Sequence, residues 1–264
     1  MTRPVRGVSG LLLALAVTKA MAQGFAAYIS PPRFELQLAP GQSSRQVLEI
    51  QHTGSQKGTY RVYTNDWSLA PDQSIGFTDA LAPESCRPWV AIERRELSVA
   101  SGARYRYRFE ITPPADTPPR ECRFALMIEG QDTTRVQGDL NIPVGGRIGV
   151  IVYAAVGGAA PQLSLVGTRV VRSGGKPVAV IDVRNTGNAH GRLDGFVNAT
   201  DAAGERFEMA PADLPILPGE TRGVAIVPVA ELGKPAPQPR FPLTIRGTLE
   251  WGKNRMPLEA QFAP

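Results

Sequence analysis

From Arg104 to Ile111 the chain alternates without a fault. Tyr105, Tyr107, Phe109 and Ile111 fall on one face, and Arg104, Arg106, Arg108 and Glu110 on the other. A period of two sends successive side chains to opposite sides of a strand, so this segment predicts an antiparallel strand with one buried face and one wet face. The arginine row reads as that wet face rather than as a polyanion site, because Glu110 shares it. The same period predicts strands at Val47–Gln51, Tyr60–Trp67, Phe124–Glu129, Arg147–Ala154, Leu163–Val166, Val178–Arg184, Leu193–Ala199, Val224–Val227 and Leu243–Glu250. Turn signals such as Ala39-Pro40-Gly41, Ser173-Gly174-Gly175 and Leu217-Pro218-Gly219 separate them. Beyond residue 22, no stretch of ten or more residues carries a helical stripe. Many short strands at this spacing predict an all-β chain of sandwiches or barrels.

A weak repeat divides the chain. Val47–Gln51 runs into His52-Thr53-Gly54, and Val180–Arg184 runs into Asn185-Thr186-Gly187. Each is followed by a second Gly-marked turn, at Gly102 and Gly219. The turns lie 48 residues apart in the first copy and 32 in the second, so the first carries about 16 more residues, around Cys86 and Trp89. The small, pliable run Val156-Gly157-Gly158-Ala159-Ala160-Pro161 marks the junction. The expectation is two immunoglobulin-like sandwiches in tandem, 23–156 and 157–264.

Residues 1–22 have the form of an export signal. Arg3 and Arg6 precede the apolar run Val8–Val17, and Ala20-Met21-Ala22 supplies a small-x-small cleavage pattern. The apolar run is too short for a bilayer, which needs roughly 20 residues, so no stable membrane insertion is expected after cleavage. Removing three basic residues (Arg3, Arg6, Lys19) takes the formal charge from +5 to +2, which argues against general nucleic-acid binding. The 51 Gly and Pro residues argue against a helical bundle, and a 42% hydrophobic fraction argues against disorder. Two cysteines in an exported chain predict one structural disulfide, Cys86–Cys122.

Motifs for catalysis are missing. The two histidines, His52 and His190, both sit at turns, where polar surface residues are expected. There is no H-x-x-x-H pair, no G-x-S-x-G elbow, no phosphate loop and no dinucleotide fingerprint. No enzyme, metal or cofactor is expected. A hydrolase or glycan-binding sandwich would need a concave site with carboxylates or exposed aromatics, and Trp67, Trp89 and Trp251 are expected in the cores.

Several segments, taken in order, resemble the periplasmic chaperones of pilus (fimbrial) assembly. They are Ile29-Ser30-Pro31-Pro32-Arg33-Phe34-Glu35-Leu36, Leu48-Glu49-Ile50, Trp89, Arg120–Phe124, Arg147–Tyr153, Asn185–His190 and Ile216–Glu220. The resemblance spans roughly residues 28–262. It implies a periplasmic, non-enzymatic protein whose partners are pilin subunits and an outer-membrane usher. In that family the chaperone caps a subunit by lending it a strand, a form of β-augmentation, while cations in the interdomain cleft hold the subunit's terminal carboxylate.

Carried onto this sequence, the donor strand is Leu140, Ile142 and Val144, whose full burial would be worth about 5–8 kcal/mol gross. Pro143 removes one backbone donor within it. Gly138 stands where a fourth apolar plug could be, and Gly145-Gly146 softens its end. Arg33 matches the family's first-strand arginine. Arg147 is the candidate second cation, and the alignment places Gly149 at that position equally well. Either arginine could instead bridge the two domains through a nearby carboxylate. The competing reading is an exported structural or adhesive sandwich of the cell envelope without chaperone activity.

Overall fold

The computed structural model describes residues 26–130, 134–137, 140–143, 146–230, 232–233 and 235–264, with only the backbone between 134 and 143. The export signal expected at 1–22, together with Gly138, Val144 and Gly145, lies outside these residues.

The described chain is all-β apart from one 3-10 turn at Arg87–Trp89. Its first twelve strands are β1 (Ala27–Ser30), β2 (Arg33–Leu38), β3 (Ser44–His52), β4 (Gly58–Leu69), β5 (Ile75–Thr78), β6 (Val90–Ile92), β7 (Glu96–Val99), β8 (Arg104–Ile111), β9 (Arg120–Gly130), β10 (Thr134–Gln137), β11 (Leu140–Pro143) and β12 (Arg147–Val156). One sheet has the order β1-β3-β8-β6, and the facing sheet β2-β12-β9-β4-β5, with β7 also on β4. Alternation builds the core between them. Leu48, Ile50, Tyr107, Phe109 and Ile111 come from one sheet and Phe124, Leu126, Val150 and Val152 from the other. Arg104, Arg106 and Arg108 do face solvent, with Arg104 pairing with Glu49 and Arg108 with Glu93. The disulfide Cys86–Cys122 is formed and buried, joining β9 to the connection that precedes the 3-10 turn.

At Pro31-Pro32 the opening strand changes sheets. β1 pairs antiparallel with β3, whereas β2 pairs parallel with β12, Arg33 opposite Ile151. Two prolines have no N–H for a ladder, so the switch falls where pairing is lost anyway.

The second sandwich holds β13 (Leu163–Ser173), β14 (Lys176–Asn185), β15 (Val197–Thr200), β16 (Arg206–Pro211), β17 (Thr221–Pro228), β18 (Leu243–Trp251) and β19 (Asn254–Phe262). They form one sheet, β13-β14-β17-β16-β15-β18-β19, rolled so that its end strands touch around a separate core. The strand expected at Leu193–Ala199 is cut to Val197–Thr200, because Gly195 takes a φ of 97° and ends the extended run.

Candidate functional site

The outer face of β2, β12 and β9 meets two connections of the second sandwich. Alternation puts Phe34 and Val152 into the core and turns Arg33, Glu35, Tyr153, Glu121 and Arg123 outward. In register, Glu35, Tyr153 and Arg123 stand side by side across the three strands. Opposite them come His190 and Arg192, after β14, and Asp213, after β16.

His190 is the centre of this joint. Its side chain is only 8% exposed, and its ring stacks on Tyr153 with centroids 3.7 Å apart. Nδ1 lies 2.5 Å from Glu121 Oε2, which also accepts from the His190 backbone N–H at 2.9 Å, and Nε2 lies 3.7 Å from Glu35 Oε1. Burial alone disfavours the imidazolium, but the Glu121 hydrogen bond and the nearby charges of Glu121 and Glu35 outweigh it and the His190 pKa is raised. Its interaction with His190 draws the Glu35 carboxyl down to about 2, against the opposing effect of burial and with help from Arg33 and Arg192.

Arg33 is drawn into the same cluster. It donates from Nη1 to Asp213 Oδ2 at 2.7 Å and sits 2.9 Å from Glu35 through Nε. Asp213 has a second partner, Arg192, at 2.7 Å on its other oxygen. Backbone contacts close one end of the joint. The Glu121 N–H donates to Asn188 O, and Asn188 Nδ2 to Pro119 O. At the other end, Arg222 reaches the Leu69 and Ala70 carbonyls at 3.4 and 3.3 Å. Two openings flank the contact. A cavity of about 280 Å³ is lined by Glu35, Tyr153, His190, Arg192 and Trp251, and one of about 610 Å³ lies between Pro71–Gln73 and the face of β13, β14 and β17.

The structure does not bring Arg147 to Arg33. Arg33 stands opposite Ile151, four residues beyond Arg147 on β12 and so roughly 13 Å along the strand. Arg147 pairs in register with Glu129 near Tyr63. Between the two cations lies Gly149, covered by the Phe77 ring of β5 and by Met127. A Cβ at 149 would come within 2.6 Å of Phe77. The segment that carries Phe77 belongs to the region that is longer in the first half of the chain.

His52 is buried and His190 is half-buried with its ring enclosed, a correction to the expectation of surface turns. His52 Nε2 donates to Gln56 O at 2.6 Å and its Nδ1 faces the Tyr60 hydroxyl at 2.5 Å. Room for the ring comes from Gly54 and Gly58, where a Cβ would stand 2.7 and 2.6 Å from it. Trp89 and Trp251 are half-buried against the first and second cores. Trp67 lies in the joint instead, edge-on to Tyr153 at 5.6 Å with the Arg123 guanidinium 5.8 Å from its ring. The sequence signal for it was parity, since Trp67 keeps step with the outward positions of β4.

β10 and β11 form a two-stranded ribbon between β9 and β12, separate from both sheets. Leu140 stands opposite Gln137, Ile142 opposite Arg135, and Pro143 ends the strand opposite Thr134. The ribbon is out of step by one residue with the ladder that pairs Arg147 with Glu129. Among the described residues β11 pairs with β10 alone, and no group of His, Cys, Asp and Glu is placed to hold a metal. No helix among them is long and apolar enough to cross a membrane.

No family model matches the chain, and no curated protein matches it. Fimbrial chaperones recur among similar solved structures. The crystal structure of the class 5 fimbriae chaperone CfaA is 11% identical, with a TM-score of 0.48, and the match covers 90% of this chain and 99% of that one. Pseudomonas aeruginosa CupB2 chaperone is 11% identical, with a TM-score of 0.47, over 89% of this chain and 100% of that one. A match to the CsuC–CsuE chaperone–tip adhesion subunit complex of archaic Csu pili from Acinetobacter baumannii is 13% identical, with a TM-score of 0.46, over 90% and 98%.

Proposed function

We propose that this chain is a periplasmic chaperone that caps subunits of a surface fibre by strand donation and passes them to an outer-membrane usher. The observation that carries the reading is the β10–β11 ribbon, which offers β11 outside either sheet. The expected donor residues Leu140 and Ile142 fall on that strand, and Val144 follows in sequence, outside the described residues. Binding without chemical turnover fits a site made of ion pairs and stacked rings.

Arg33 serves as the carboxylate anchor by exchanging partners. Asp213 holds Arg33 with one oxygen and Arg192 with the other, so an incoming carboxylate takes the 41%-exposed Arg33 while Asp213 keeps a counterion. An arginine fork suits such a bidentate hand-over. Arg147 then contacts the subunit farther along β12 rather than at the same carboxylate. The test is purification from the periplasm of a fibre-producing host, with Arg33→Ala and Ile142→Asp alongside. The expected result is a stoichiometric small β-rich partner, lost or much reduced in both variants. A partner-free monomer would overturn the reading and leave the structural sandwich, in which Arg33 only ties the two domains.

A further inference from the structure

His190 faces two carboxylates of the other sandwich at once. Glu121, on β9, is hydrogen-bonded to Nδ1 at 2.5 Å, and Glu35, on β2, lies at ion-pair distance from Nε2, 3.7 Å away. Tyr153 of β12, the strand between them, supports the ring from below. An imidazolium has two N–H donors, one for each carboxylate, whereas neutral imidazole has one. On losing a proton the ring keeps the short Nδ1 bond to Glu121, and its bare Nε2 lone pair then confronts Glu35. Glu35 is not stranded by this, because Arg33 and Arg192 lie 2.9 and 3.3 Å from it.

The other charges around the ring complete the account. Arg33 comes from β2, Arg123 from β9, Arg192 from the ring's own connection, and Asp213 from the connection after β16. Asp213 is held by both Arg33 and Arg192 whatever the state of His190. The proton on His190 therefore decides whether the ring itself spans β2 and β9 of the first sandwich.

We propose that this proton is a latch on the interdomain angle. With the imidazolium in place, the Glu121–His190–Glu35 bridge holds the second sandwich closed over β2 and β9. With the neutral ring, the sandwich turns about its connection. The pivot is already built. Gly157 and Gly158 have φ of 65° and 80°, conformations that an L side chain resists, and the Pro119–Asn188–Glu121 contacts hold one end. The long Arg222 contacts to Leu69 and Ala70 are the end that parts. The latch belongs to the chain alone and does not depend on the proposed fibre partner.

The experiment follows the purified chain from pH 5 to 9 by small-angle scattering and by hydrogen exchange at the Gln73 amide, which donates to Ala70 O beside the parting Arg222 contact, corrected for base catalysis. Ring NMR tracks His190, with His190→Gln assigning its signal against His52. Expected is one transition in both shape and exchange, at the ring's own midpoint and above the ordinary histidine value of about 6.5. It should be absent in His190→Gln, whose amide donates without titrating. A ring that titrates while shape and exchange stay constant overturns the latch, as does a transition that persists in His190→Gln. Should that variant not fold, Glu35→Gln removes one arm of the bridge. A transition of undiminished size in it counts equally against the proposal.

Discussion

At the scale of single residues, the largest departures from expectation are side chains whose setting depends on distant neighbours. Gly149 is the clearest case. By alternation it is an outward position, and in sequence it resembles a place for a second cation, yet Phe77 from β5 fills the space above it. Gly149→Ala should therefore overpack this contact and cost about 1–3 kcal/mol in urea unfolding. In a Phe77→Ala background most of that cost should vanish, because the two positions touch and their effects do not add. Equal costs in both backgrounds would mean that Phe77 does not rest on β12. His52 and His190 were recognisable only as polar residues beside glycines. The glycines mattered more than the turns, since Gly54 and Gly58 make a pocket for one ring, and the other is enclosed by a sandwich more than 60 residues away.

At the scale of elements, a period of two was enough wherever a strand has one wet face. The alternation of β8 and the apolar runs of β9, β12 and β14 were readable for that reason. Elements held by pairing alone were not. β5 and β6 are four and three residues long, and β19, which carries Pro257, lies at the end of its sheet, where a proline is tolerated. Nor could alternation show that β2 leaves the sheet of β1 to run parallel with β12. The Cys86–Cys122 bridge was legible because the expected export and a count of two cysteines left a single pairing. It anchors the connection carrying the 3-10 turn, where few backbone bonds would otherwise hold the chain. Replacing both cysteines with alanine should lower stability by about 2–4 kcal/mol, measured as a drop in the urea midpoint with a steeper slope, because the unlinked unfolded chain exposes more surface. Protease cuts should then concentrate between Asp79 and Trp89. A loss well below that range would place the hold on this segment with Asp66 instead, which accepts bonds from the Ala82 N–H and the Ser85 hydroxyl.

For the whole molecule, the joint between the sandwiches makes stability depend on pH from both sides. Glu35 is held near 2 against an ordinary value of 4.5, and Asp213 is also lowered; for Asp213 burial opposes the shift, and Arg33 and Arg192 outweigh it. Over that acid range the unfolded chain binds more protons than the folded one, so stability rises with pH. The contribution of Glu35 is complete above about 4.5 and is lost as pH falls toward 2. His190 has the opposite sign. Its folded pKa lies above 6.5, so its contribution is complete below that value and is lost as pH rises through the folded pKa. The tie between the domains should therefore be strongest from about pH 4.5 to 6.5. The comparison that isolates it is wild type against Glu35→Gln and His190→Gln, each followed by urea unfolding across the full range. Glu35→Gln should flatten the acid limb relative to wild type, and His190→Gln the alkaline limb. His190→Gln should also lower stability at every pH, because it weakens the buried Glu121 bond. If both variants keep the wild-type slopes, the charges at the joint are free to rearrange on folding, and the angle between the sandwiches is set by the Asn188 contacts and the glycine connection alone.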